Sequence, residues 1–156
     1  MRRIAFAFFV FSFYFLVADA AVACVCELPN RNLSVEEARV ALVKSLDEAT
    51  AVFTGQVVAL DTFTVRFKVE NVWKGEIQDD LIMSTGAKMN DDNTSTSSSC
   101  DYRFEKGEKY IVYAYGIGKE MQVHKCTRTR LLIHASKELK ELDELAPREV
   151  ENQELH

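Results

Sequence analysis

Four cysteines carry most of the chemistry open to this chain: Cys24, Cys26, Cys100 and Cys126. Such side chains either pair as disulfides or, as thiolates, hold a soft metal such as zinc. Cys24-Val25-Cys26 has one intervening residue, unlike the C-x₂₋₄-C knuckle of structural zinc sites. His124, two residues before Cys126, is the histidine that would complete a zinc set. The other two histidines, His134 and His156, stand apart from any nucleophile or ligand pattern. No H-E-x-x-H, G-x-S-x-G, P-loop or dinucleotide fingerprint occurs. The carboxylate pairs Asp79-Asp80 and Asp91-Asp92 fall in turn-like stretches, where acids are solvated. No enzymatic activity and no cofactor are expected.

The choice between sulfur pairing and metal binding depends on compartment. Arg2 and Arg3 precede an apolar run from Ile4 to Val17 that holds Phe6, Phe8, Phe9, Phe11, Phe13 and Phe15. The run is too short for a relaxed membrane span of ~20 residues and fits a signal-peptide core. Two A-x-A patterns follow. Ala18-Asp19-Ala20 would direct cleavage before Ala21, and Ala21-Val22-Ala23 before Cys24. Residues 1–23 therefore read as a signal peptide. The mature protein is expected to be secreted, or held in the periplasm or envelope of a bacterium, with no membrane span.

An even cysteine count in a small exported chain implies a disulfide framework. A Cys24–Cys26 ring would be very short and strained. Both remaining pairings tie the N-terminus of the mature chain to its second half, with roughly 4–5 kcal/mol per bridge in the chain-entropy model. Asn32-Leu33-Ser34 and Asn93-Thr94-Ser95 are glycosylation sequons that act only in a eukaryotic host.

At 156 residues the chain accommodates one domain. Its net charge of −5 excludes the clustered Lys and Arg of a nucleic-acid binder or a polybasic membrane-surface module. Ser34 and Glu37 form a capping box ahead of Val35, Ala38, Leu42, Val43, Leu46 and Ala49, which predicts a helix over 35–48. Ala51 to Leu60 reads as a strand, with Gly55 marking a bulge or bend. Thr62 to Trp73 alternates, with Phe63, Val65, Phe67 and Val69 on one face and Thr64, Arg66, Lys68 and Glu70 on the other. Strands are further expected over 80–85, 109–115 and 121–126, with a long polar loop over 86–99. A short amphipathic helix over 135–145 uses Leu139, Leu142 and Leu145, and an acidic tail follows Pro147. Five short strands with a packed helix suggest a small β-barrel, the OB-fold being the five-stranded candidate.

Several stretches together resemble one family. They are Cys24-Val25-Cys26 directly after the signal peptide, Ala51 to Val58 (A-V-F-T-G-Q-V-V), and Phe67 to Gly75 (F-K-V-E-N-V-W-K-G). Ser98-Ser99-Cys100, Phe104 to Ala114 (F-E-K-G-E-K-Y-I-V-Y-A) and Cys126 to Arg130 (C-T-R-T-R) complete the ordered set. The set resembles the N-terminal, netrin-like domain of tissue inhibitors of metalloproteinases, in a short single-domain form. The resemblance implies a mainly β fold: a five-stranded OB-fold barrel over 24–135 with one packed N-terminal helix, then a short C-terminal helix and acidic tail over 136–156. It also implies the pairings Cys24–Cys100 and Cys26–Cys126. It lacks the family's third bridge, Asp47 standing near where its first half-cystine would be. The implied function is inhibition of a zinc metalloprotease by a monomer. The backbone amine and carbonyl of Cys24 would ligate the protease's zinc, Val25 would enter its pocket, and Cys26, Glu27 and Leu28 with Ser98 and Ser99 would line the contact. The alternative is a netrin-like binding module with no protease target, of which a lipid-anchored form acylated at Cys24 is a variant.

Overall fold

A computed structural model describes residues 24–26 and 33–146. The expected signal peptide, Glu27, Leu28, Asn32 and the tail beyond 146 lie outside the described residues.

The Ser34 capping box forms as the sequence predicts. Glu37 N–H donates to Ser34 Oγ at 3.2 Å, and Ser34 N–H donates to Glu37 Oε2 at 2.7 Å. This starts helix α1, Val35–Glu48. Strands β1 (Ala51–Leu60), β2 (Thr64–Lys74), β3 (Asp80–Ser84), β6 (Lys109–Ala114) and β7 (Arg130–Leu131) form one five-stranded antiparallel sheet in the order β3-β2-β1-β6-β7. Between β3 and β6, the two-residue strands β4 (Lys88–Met89) and β5 (Ser95–Thr96) make a small hairpin inside the polar loop. Helix α2 spans Ser136–Leu145. The architecture is mainly β with two α-helices.

The fifth strand differs from the sequence expectation. Met121 to Cys126 forms no strand of the main sheet; only Gln122 and His124 make isolated bridges, to Tyr115 and Asp101. The last sheet strand is instead the short β7. Only Met121 and Val123 of this segment turn inward, so it packs as a strand would, yet it shares each neighbour through a single pair. The sheet is open, and its ladder does not close into a barrel.

Alternation along β1 and β6 sends side chains to two cores. Phe53, Val57, Tyr110 and Val112 join Val65, Phe67, Met83, Phe104, Met121 and Val123 on one face. Phe53 meets Phe67 edge to face with ring centres 5.5 Å apart, and Phe67 meets Phe104 likewise at 5.1 Å, geometries that add to the area buried. On the opposite face Val52, Ile111, Tyr113 and Trp73 pack under Leu42 of α1 and Leu142 of α2. The β1–β2 register slips at Thr54/Gly55. A Cβ on Gly55 would lie 2.9 Å from the carbonyl oxygen of Lys68, so this irregularity requires glycine.

Candidate functional site

The N-terminal cysteines sit where two loops meet. Cys24 is bonded to Cys100 and Cys26 to Cys126, with Cα–Cα distances of 5.0 and 5.1 Å. These are the pairings the resemblance implied. No described cysteine is free, so the sulfurs are spent in bridges and the zinc-thiolate alternative does not apply to this oxidised chain. The Sγ atoms of Cys24 and Cys126 lie 3.7 Å apart, which puts the two bridges side by side.

Both loops are tied to each other before they receive the N-terminus. Lys125 N–H donates to the Cys100 carbonyl at 2.8 Å, and Tyr102 N–H to that of Val123 at 3.3 Å. The 98–101 turn is closed on itself. Ser98 N–H donates to Asp101 Oδ2 at 2.7 Å, Cys100 N–H to Ser98 Oγ at 3.1 Å, and Asp101 N–H to the Ser98 carbonyl at 3.1 Å. The Asp101 side chain lies over Gly86, where a Cβ would come within 2.5 Å of its carboxylate. With φ at +94°, that position needs glycine on both counts.

Val25, held between two bridged residues, is 89% exposed. A shallow groove runs beside it, lined by Gln122, Val123 and His124 with Asp101 and three of the cysteines, Cys24, Cys100 and Cys126. The His124 ring packs against Tyr115, centroids 5.7 Å apart. Cys24 N–H donates to Ser99 Oγ at 3.2 Å.

Of the residues the sequence singled out, Cys24, Val25, Cys26, Ser98 and Ser99 are brought together, whereas Glu27 and Leu28 fall outside the described residues. Asp101, Gln122 and Val123 of the groove went unforeseen. Asp101 is adjacent to Cys100, which identifies a neighbourhood but not a facing side chain, and Gln122 and Val123 lie in the segment leading to Cys126 with no signal of their own. Asn93 occupies the tip of the β4–β5 hairpin with φ of 62°.

A second polar cluster lies away from the groove. Glu138, in the first turn of α2, is 4% exposed. It accepts from Tyr113 Oη at 2.8 Å, from Arg128 Nη2 at 2.6 Å and from Arg130 Nη2 at 2.7 Å. Burial and then the neighbouring carboxylate push the Tyr113 phenol far above its usual range. Burial opposes the charge on Arg128, yet its bonds to Glu138 leave its pKa raised. Tyr113 therefore stays protonated and donates, and Arg128 stays charged.

Among the described residues no helix is long and apolar enough to cross a membrane. No protein-family model matches the sequence, and no curated protein matches it significantly.

Proposed function

We propose that the mature protein begins at Cys24, is secreted, and reversibly inhibits zinc metalloproteases through its N-terminal ridge. The observation that carries this reading is the placement of Val25. It is an apolar side chain left 89% exposed and held there by the disulfide-bonded residues on either side.

Catalytic zinc keeps a coordination position for water or substrate. Cleavage before Cys24 would turn its amide nitrogen into an α-amine, and that amine and the Cys24 carbonyl would take the open position. The sulfur has no part in this, being bonded to Cys100. An α-amine has a pKa of about 7.7–8.0, so a neutral, ligating fraction exists near pH 7.5, and metal binding draws more of it. The bridges hold the ridge rigid before binding, which reduces the ordering entropy lost in the complex. Val25 would enter the pocket beside the zinc and contribute up to ~1.5–3 kcal/mol of apolar burial. Ser98 and Ser99 would stand at the cleft edge, with Glu27 and Leu28 extending the contact.

The fold is proposed to be an OB-fold of the netrin-like kind. The sheet order β3-β2-β1-β6-β7 supports this, together with Ser84 N–H donating to the Met121 carbonyl at 2.8 Å and the Tyr115–Gln122 pair. Through these bonds the 121–124 segment links the β3 end of the sheet to the β6 end, as a five-stranded, partly open barrel requires.

Sequencing the N-terminus of the exported protein tests the premise. The expected start is Cys24 with a free amine; a start at Ala21, or an acylated Cys24, overturns the mechanism.

A further inference from the structure

The two serines before Cys100 are not equivalent. The Ser98 hydroxyl and amide are engaged inside the turn, with Cys100 N–H and Asp101 Oδ2. The Ser99 hydroxyl instead accepts from the Cys24 nitrogen at 3.2 Å. The Cys24–Cys100 bridge fixes the neighbouring residue, so Ser99 and that nitrogen meet without long loops to order.

We propose that Ser99 is a positioning residue that holds the Cys24 α-amine for metal ligation; this rests on the inhibitor reading above. A serine oxygen offers two acceptor lone pairs and one donor hydrogen. A free α-amine rotates about its Cα–N bond, and only some rotamers send the nitrogen lone pair toward a metal. Once the lone pair is donated to zinc, the nitrogen keeps two N–H groups, and the cation makes both stronger donors. One of them points to Ser99 Oγ. The contact is therefore kept when the amine passes from its free form to the metal-bound one, so it need not be broken on binding. It also restricts the rotation of the amine. No proton or bond changes hands at Ser99. The hydrogen bonds of Ser98, by contrast, lie inside the turn.

The experiment uses the exported protein with a verified Cys24 start and compares Ser99→Ala, Ser99→Thr and Ser98→Ala. Two readouts are taken: the inhibition constant against a zinc metalloprotease, and the titration midpoint of the Cys24 amine by nuclear magnetic resonance. Ser99→Ala is expected to weaken inhibition about threefold to tenfold, the value of one hydrogen bond. It should also move the amine midpoint downward, because an acceptor that favours the ammonium form has been lost. Ser99→Thr, which keeps the hydroxyl, restores both values. Ser98→Ala leaves the midpoint in place. An unchanged midpoint and an unchanged inhibition constant in Ser99→Ala overturn the proposal. The two readings separate cleanly. If the parent inhibits no zinc protease, the inhibitor reading fails while the midpoint still decides whether Ser99 holds the amine. If the parent inhibits and Ser99→Ala is silent in both readouts, only the Ser99 role fails.

Discussion

The Cys24–Cys26 ridge and the Glu138 cluster both fasten chain segments to the body of the fold, one by sulfur to two loops and the other by charge. They differ in what they leave outside. At the ridge, two bridges immobilise the backbone and leave Val25 in solvent. At Glu138, the carboxylate accepts from the Tyr113 hydroxyl and from both guanidinium groups, so α2 lies closed on the second core. Covalent bonds need no surrounding burial to persist, so a ridge held by them can afford exposure. An ion cluster gains strength only as it is desolvated and satisfied.

Breaking the buried fastening should cost the most. Glu138→Ala strands Arg128 and Arg130 beside Tyr113, and unfolding in denaturant is expected to show a loss of about 3–5 kcal/mol. Deleting the second bridge with the paired change Cys26→Ser and Cys126→Ser should follow, at about 2–4 kcal/mol, the usual measured range and below the chain-entropy value. It should also open the ridge to proteolysis, read as new cleavage near the N-terminus. Tyr113→Phe removes one buried hydrogen bond and should cost about 1 kcal/mol. Smallest on this scale is Val25→Ala, expected to leave stability within about 0.5 kcal/mol while weakening inhibition at least about tenfold. A large stability loss there would mean that Val25 belongs to the fold and not to a partner.

Acid provides a separate test, on surface carboxylates. Hydrogen bonds from Thr64 hold the Asp61 carboxyl below its usual range, as do the Arg66 guanidinium for Asp80, Thr94 for Asp92 and the Ser34 backbone for Glu37. Folded values below the unfolded ones mean stability that is complete above the unfolded carboxylate range of about 4 and is lost as pH falls through the folded values. Melting temperatures should thus hold from neutral pH to about 5 and decline below it, with reduction of the bridges lowering the whole curve.

Local rules account for how much was legible beforehand. The α1 capping box, the 64–70 alternation and the Gly55 irregularity each depend on neighbours in sequence, and each forms as predicted. The 121–126 segment did not, because its inward Met121 and Val123 look like a strand while its hydrogen bonds are divided among Ser84, Tyr115 and the 100–102 stretch. The Glu138 cluster was invisible for a similar reason. Charged residues at 128, 130 and 138 read as solvated surface until the tertiary fold buries one carboxylate under two arginines. At the site, the cysteines were legible from type and spacing; which serine turns toward Cys24 was not, since that is settled by the closure of the 98–101 turn.

The central claim concerns one nitrogen atom, and one comparison reaches it directly. The inhibition constant of the protein starting at Cys24 is measured against that of a version with a single alanine placed ahead of Cys24. The added residue leaves the bridges and Val25 as they are but converts the amine to an amide, whose nitrogen cannot ligate zinc. Inhibition by the parent and its loss in the extended protein is the predicted result. An unchanged inhibition constant would contradict zinc ligation by the Cys24 amine.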